Sequence, residues 1–311
     1  MEKLSYSKIS CYQNCGWQYK LTYIDKHFIY EPAIATEFGT LVHSTEETIA
    51  RKIQAHETIN YEELQQNFMR KSYELSKKFP QQFYELDKSN RTYEDKVNMY
   101  VNESIFRLEE FMKNNPDLEI VGIEQSFKVE HGDYIFHGFI DRVFRNKITN
   151  ELIIEDIKTY SKPVSDADLV TPLQFVFYVL GSKKLYNIDE DKIKCAYDLP
   201  LCNIKQYAGT KGFVKRGVKK IDKLLAKIEE KDFHPNPTPL CHWCVFSKTY
   251  PNQPDSAKFL CPYYLLWTKN NHVFDTDFKW EGIENHERIL EAFKLKEGLK
   301  VNKRQKFTYR R

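Results

Sequence analysis

The chain has no run of eighteen or more apolar residues, and its start, Met1-Glu2-Lys3-Leu4-Ser5, carries no apolar leader. A membrane-spanning helix needs about 20 such residues, and a secretory leader an apolar stretch of roughly 7–15. Their absence predicts a cytoplasmic protein with no membrane partner. A complete set of disulfide partners is also missing, since seven cysteines cannot all pair. Seven thiols in 311 residues do not make the dense framework of a small secreted domain. In a reducing compartment such thiols are metal ligands or core residues. Net charge is scarce too, at only +3.

The small net charge hides local asymmetry. Lys211 to Lys231 holds eight basic residues against three acids, and Lys294 to Arg311 holds eight against one. Such blocks suit a phosphate backbone, although lysine-rich helix faces are also commonly just solvated. Lys215, Arg216, Lys219 and Lys220 are the candidate contacts of the first block. With 41% hydrophobic and 29% charged residues, the composition is that of a soluble globular protein. The length allows one large domain or two small ones.

The most informative stretch is Ile153-Ile154-Glu155-Asp156-Ile157-Lys158-Thr159-Tyr160. β-Branched residues ending in a charged cluster predict a buried strand that emerges at a working edge. Residues two apart share a strand face, so Asp156 and Lys158 point one way, Glu155 and Ile157 the other. Upstream, the aromatic and β-branched run Asp133–Phe144 predicts a second strand, with Asn146–Glu151 as the turn between them. A hairpin centred between Ile148 and Thr149 pairs residues whose numbers sum to 297, Asp141 with Asp156 among them. Like charges about 5 Å apart destabilise a ladder unless compensated. A hard divalent cation, which takes oxygen ligands, compensates them. A register slip of one residue would separate the pair. Alone, D-x-K is only an ion pair, so the reading depends on the rest of the chain.

D-(x)n-D-x-K across a hairpin is the pattern of the PD-(D/E)xK nucleases, and the sequence resembles their RecB-like branch. Gly39-Thr40-Leu41-Val42-His43 is similar to that branch's G-x-x-x-H motif, and Gln174-Phe175-Val176-Phe177-Tyr178 to its Q-x-x-x-Y motif. Ser5-Tyr6-Ser7-Lys8 with Cys15, Cys241, Cys244 and Cys261 is similar to the cysteine set of its iron–sulphur members. These include CRISPR-associated iron–sulphur exonucleases and the nuclease subunits of AddAB-type helicases. The resemblance spans about residues 4–264, with its motifs in the family's order. It implies an α/β, restriction-endonuclease-like core, a central mixed sheet flanked by helices. It also implies a helical insertion and a four-cysteine 4Fe–4S clip joining the N-terminal and C-terminal segments. Residues 1–267 would form the nuclease domain, with the insertion at about 55–115 and the cysteine segment at about 235–264; 268–311 would be a basic tail. By the same resemblance, His43, Asp141, Asp156 and the carbonyl of Ile157 hold Mg²⁺ or Mn²⁺, and Lys158 positions the attacking water or stabilises developing charge. Gln174 and Tyr178 contact the DNA backbone or order the site.

Taken in order, Ser5 to Tyr23 predicts a helix capped by Ser5 or Ser7. Cys11, one turn before Cys15, is the rival first ligand. Glu37 to Arg51 predicts a second helix entered at Gly39-Thr40, with His43 in its first turn. Tyr61–Phe79 and Tyr93–Asn114 predict helices, the latter with an apolar stripe through Val97, Tyr100, Val101, Ile105 and Leu108. Glu119–Val129 opens the sheet before a tight turn at His131-Gly132-Asp133. Glu124 on that strand reads as an ordinary surface residue, with a further carboxylate for the cation as the alternative. Thr171-Pro172 predicts the N-cap and first position of a helix that sets Gln174 and Tyr178 on one face. Tyr178 could equally pack with Phe175 and Phe177 as core. A strand over Lys192–Leu201 and a basic helix over Val214–Ile228 follow, and the alternation of strand and helix predicts the α/β class. C-x-x-C at Cys241 and Cys244 lets two thiolates reach one centre. It would also fit a zinc knuckle, and the sixteen residues before Cys261 are a longer gap than is usual in the family.

These observations predict a metal-dependent DNA nuclease, an exonuclease acting on ends or single strands in recombination, repair or phage DNA processing. DNA and a helicase or recombination protein are the expected partners. The alternatives are a catalytically weak DNA-binding accessory protein with the same fold and cluster, and a zinc-stapled binding module.

Overall fold

The structure, a computed structural model, describes residues 1–247 except 28, 30, 31, 88 and 237, and beyond these 260–261, 263–266 and 271–274. The basic run Lys294–Arg311 lies outside the described residues. Among the described residues no helix is long and apolar enough to cross a membrane.

The chain opens with β1 (Glu2–Leu4), α1 (Tyr6–Asn14), α2 (Gly16–Tyr19) and a π-helical turn at Lys20–Ile24. Then come α3 (Ile34–Gln54), α4 (Tyr61–Lys78), α5 (Pro80–Tyr84), α6 (Tyr93–Asn102) and α7 (Arg107–Asn114). Next are β2 (Leu118–His131), β3 (Tyr134–Asn146), β4 (Leu152–Ile157), α8 (Asp166–Val170) and α9 (Leu173–Tyr186). Last come β5 (Ile193–Leu199), β6 (Ile204–Ala208), α10 (Phe213–Glu229), β7 (Tyr263–Leu266) and β8 (Asn271–Phe274). Two compact units result: Met1–Tyr6 with Pro32–Lys220, and Ser7–Glu31 with Ile221–Arg311.

The first unit is built on a mixed six-stranded sheet. β3 pairs antiparallel with β2 and β4 and parallel with the short β1; β4 runs parallel to β5, and β6 closes the edge antiparallel. This is the flanked α/β core expected. The β3–β4 ladder pairs Arg142 with Glu155, Val143 with Ile154, Phe144 with Ile153 and Arg145 with Leu152, all on the expected register. Its apolar core joins α3, α4, α6 and α7 to the sheet through Phe38, Val42, Phe68, Tyr100, Ile105 and Phe144. Four helices lie between Tyr61 and Asn114.

Several boundaries differ from the sequence-based expectation. The long helix predicted over Tyr93–Asn114 breaks at Glu103 (φ −127°, ψ −55°) into α6 and α7, joined by a 3₁₀ turn. Ser104 in that turn is buried and donates its hydroxyl to the carbonyl of Pro200, a contact that fixes the break. α3 begins at Ile34, so His43 sits beyond the first turn, not within it. Pro172, not Thr171, is the N-cap of α9. Pro200 ends β5 by entering a 3₁₀ turn.

In the second unit the predicted continuous helix from Ser5 to Tyr23 is interrupted at Cys15, which is extended (φ −160°, ψ 112°) and caps α2 through its sulfur. A side chain on Gly16 would press within 3.0–3.2 Å of the backbone at Phe233 and His234, so only glycine fits after the break. Two small apolar clusters hold the unit, one around Trp17, Leu21 and Phe246, the other around Tyr12, Tyr19 and Phe233. The early and late segments are also tied by hydrogen bonds. Tyr12 donates to the carbonyl of Asp232 (2.6 Å), Trp17 to that of Leu260 (2.9 Å), and Asn236 to that of Asn14 (3.0 Å).

Candidate functional site

The working edge lies where β3, β4 and the approach of α3 converge. One step beyond the last β3–β4 pair, Asp141 comes opposite Asp156. Oδ2 of Asp141 takes the backbone N–H of Ile157 at 2.7 Å, so a side chain replaces the ladder there. Asp156 is 1% exposed. Its Oδ1 accepts from the Gln174 amide (2.7 Å) and the Tyr178 hydroxyl (3.1 Å), and its Oδ2 faces Nζ of Lys158 at 2.6 Å. Gln174 also donates to the Tyr178 oxygen at 2.8 Å. Tyr178 is buried, and its hydroxyl is turned to Asp156. Of the two roles expected for Gln174 and Tyr178, DNA-backbone contact or ordering of the site, these hydrogen bonds to Asp156 are the kind that ordering requires.

His43 contributes from α3. Its Nε2 lies 2.8 Å from the carbonyl oxygen of Ile157. A carbonyl only accepts, so Nε2 carries the proton and Nδ1 the lone pair. Nδ1 points toward Oδ2 of Asp141 at 3.7 Å. Burial is the largest influence on the ring and holds its pKa below the usual value, keeping it neutral and fit to ligate. The Ile157 carbonyl, expected as a direct ligand, thus lies beside the histidine at the same edge.

Glu124 joins this group. Ile123 pairs with Arg142 and Gln125 with Ile140, which places Glu124 across from Asp141 on β2. The register shifts between Ile120 and Gly122, and Glu124 itself is left-handed (φ 45°). Ligand atoms of His43, Glu124 and Asp141 lie within 4.8 Å of one another. Sequence reasoning favoured an ordinary surface residue at Glu124; an isolated glycine inside a strand, Gly122, is the signal that marks a bulge able to re-aim it.

Burial, and next the charge of Asp156, drive the carboxyl of Asp141 well above the usual carboxylate range. Two opposed carboxylates need a proton or a cation between them. One imidazole nitrogen with carboxylate oxygens is a donor set suited to Mn²⁺ or Mg²⁺, so the residues fit the group.

Behind this face the alternation of the strands sets a buried ionic lattice. Arg142 donates to Glu155 (2.8 Å), Glu46 (3.2 Å) and Asp198 (2.7 Å), with Arg107 on Asp198 (2.9 Å) and Lys205 on Glu155. Tyr100 donates to Glu46 at 2.9 Å. Three carboxylates are thus met by three cations, which makes their burial tolerable. Glu46 and His43 lie one turn apart on α3, so one helix is fastened to adjacent residues of β3, Asp141 and Arg142.

In the second unit Cys15, Cys241, Cys244 and Cys261 line one cavity of about 220 Å³, with Trp17, Leu21, Trp243 and Phe246. The Cys15 sulfur accepts the backbone N–H of Gln18 (3.5 Å) and Asn236 (3.4 Å), and the Cys241 sulfur that of Thr238 (3.5 Å). Among the described residues no three thiols meet the 4.8 Å spacing of the carboxylate–histidine group. Burial first, with the charge of Cys15 adding to it, sets the Cys241 thiol above its usual range, against the lowering effect of the Thr238 N–H. Cys244 is pushed up to about 12, chiefly by burial. Cys11 is also raised to about 12, by burial and by Cys15, but does not line the cavity. Cys195 is buried in β5 of the other unit.

Lys215, Lys219 and Lys220 are exposed on α10. Arg216, grouped with them in the sequence, is spent locally: its guanidinium donates to the Lys211 carbonyl (2.7 Å) and to the hydroxyls of Thr210 (2.6 Å) and Thr171 (3.3 Å).

A mixed sheet carrying D…D-x-K at one edge, with a histidine from a flanking helix, defines a nuclease class of site. The family model of the PD-(D/E)XK nuclease superfamily matches residues 3–249, and the chain belongs to that superfamily. No curated protein matches. Among solved structures the chain is similar to one described as "Crystal structure of SSO0001", at 16% identity over 74% of this chain and 92% of that one, with a TM-score of 0.26.

Proposed function

We propose that the protein is a metal-dependent deoxyribonuclease, acting as an exonuclease on DNA ends or single strands. The observation that carries this reading is the single patch formed by His43, Asp141, Asp156 and Lys158. His43, Asp141, Asp156 and Glu124 would hold Mg²⁺ or Mn²⁺, which when bound supplies a more acidic water and charge compensation at the phosphate. The chain's own part is positional. Gln174 and Tyr178 fix the Asp156 carboxylate, Ile157 fixes the His43 tautomer, and Lys158 keeps an ammonium beside the acidic pair, ready to steady negative charge at the reacting phosphate. Lys215, Lys219 and Lys220 offer sequence-independent attraction to a phosphate backbone.

The four cysteines lining the second unit's cavity are the proposed ligands of a 4Fe–4S cluster. Support comes from their shared cavity, from backbone N–H groups directed at two of the sulfurs, and from the family resemblance. Purified protein given end-labelled single- and double-stranded DNA with Mg²⁺ or Mn²⁺ should release mononucleotides or short fragments. DNA left intact under all these conditions, while still bound, would favour the accessory-protein reading.

A further inference from the structure

We propose that Phe139 and Tyr160 are base-stacking platforms flanking the carboxylate pair, so that the site takes an unpaired DNA strand in preference to a closed duplex. The inference rests on the nuclease reading and narrows its substrate to a single strand.

β3 is bordered unevenly. Along one edge β2 pairs with it over residues 134–146. Along the other, β1 pairs with residues 134–136 and β4 with residues 142–145. Between these two partners, from His137 to Asp141, no strand borders that edge among the described residues. Phe139 stands at the centre of this gap in the ladder, and Asp141 at its end. The Phe139 side chain is 58% exposed and stacks on no other ring among the described residues.

A single exposed apolar side chain is ordinary, so the neighbours decide the reading. Phe139 lies two residues, about 7 Å, along β3 from Asp141. Its cross-strand partner is Ser126, and two residues further out Lys128 pairs with His137. Cross-strand partners and alternate rungs share a face, which sets the exposed Lys128 beside the ring. On the far side of the carboxylates, Tyr160 follows Lys158 by two residues and is 49% exposed. Its carbonyl accepts from the Cys202 thiol (3.3 Å), and the next residue, Ser161, donates to Asp87 (3.4 Å). The backbone is thus held on both sides while the ring stays open. Burial is the largest influence raising the Tyr160 phenol, and the Lys158 ammonium opposes it, so the ring reaches toward the reacting edge.

A flat ring on an anchored backbone has only two side-chain torsions to fix when a ligand settles on it. Aromatic faces interleaved with lysines fit nucleobases on a phosphate backbone, since every base has a π-face whatever its identity. In a duplex those faces are covered and must first be unstacked, whereas an unpaired strand offers them directly.

The test is binding of the full chain, without divalent metal, to a fluorescent single-stranded oligonucleotide and to its blunt duplex. Phe139→Leu and Tyr160→Leu should each weaken single-strand binding by about tenfold, within the range for losing one base–aromatic stack. Duplex affinity and melting temperature should stay at the parent's values. Phe139→Trp and Tyr160→Phe keep a ring and should bind the single strand as the parent does. A strand of abasic sites should bind the parent and both leucine variants alike. Unchanged single-strand affinity in either leucine variant, or an equal loss on the duplex, overturns the platform at that residue. Cleavage with Mg²⁺ or Mn²⁺ is the separate readout. Leucine variants that lose single-strand affinity, in a protein that cleaves no DNA, overturn the nuclease reading and leave the platforms standing. Unchanged binding in both variants of a protein that does cleave DNA has the opposite consequence.

Discussion

Nζ of Lys158 lies 2.6 Å from Oδ2 of Asp156, just past the end of β4. The pair sits where a phosphate can approach, because Lys158 keeps a quarter of its side chain exposed while Asp156 is enclosed. Asp156→Ala or Lys158→Ala should therefore cut the cleavage rate by about 10²–10³ or more, the cost of losing one preorganised electrostatic group. DNA binding should survive, since distant phosphate contacts act equally before and during reaction. Full activity in Asp156→Ala, measured on end-labelled DNA, would remove the catalytic assignment.

Tyr178→Phe deletes one hydroxyl and nothing else. Its oxygen bridges Gln174 and Asp156, so the loss should loosen the carboxylate and weaken Mn²⁺ binding by about tenfold. DNA affinity without metal should not change. A drop in DNA affinity with unaltered Mn²⁺ binding would return Tyr178 to the DNA surface.

Lys96 is almost fully buried and its ammonium is paired with Asp87 at 2.7 Å. Burial tends to raise the Asp87 carboxyl, but hydrogen bonds from Lys96 and Ser89 outweigh it and hold the group well below the usual range. A depressed folded-state value means the stabilisation is present above the unfolded value of about 3.9 and is lost as pH falls through the folded value. Asp87→Asn should destabilise by about 1–3 kcal/mol at pH 7, because the buried ammonium loses its partner. The gap from wild type in urea unfolding should narrow toward pH 2. A pH-independent gap would show that the pair is not its source.

Protein made anaerobically should be brown, with roughly four irons per chain. Cys15→Ala, Cys241→Ala, Cys244→Ala and Cys261→Ala should each lose the colour and much solubility, because metal bound to ligands scattered in the unfolded chain is itself folding free energy. Cys11→Ala, Cys195→Ala and Cys202→Ala should keep both. Stoichiometric zinc without iron would replace the cluster with a zinc clip.

How much of this could be read in advance differs sharply between elements. The β3–β4 register was legible because a polar turn separates two strongly β-prone runs, leaving one centre for the hairpin. β1 and β6 were not, being short edge strands of three and five residues with little periodicity of their own. The break at Cys15 was hidden because Ile9, Tyr12, Gly16 and Tyr19 keep helical spacing straight across it. Glu124 read as a surface residue because strand alternation says nothing of a residue whose backbone turns left-handed. The ionic lattice, by contrast, lay within reach: the register that opposes Asp141 to Asp156 also opposes Arg142 to Glu155 on the apolar face.

That lattice also guards assembly. Because neighbours along a strand face opposite ways, sliding β4 past β3 by one residue would carry Glu155 toward the open edge and Asp156 into the interior. Arg142 would then lose its nearest carboxylate, and Lys205 its own, in a region where an unmatched charge costs several kcal/mol, of order 3–5. A hairpin threaded one residue out of register is thus disfavoured relative to the native one. The charges hidden behind the sheet proofread the placement of those displayed in front of it.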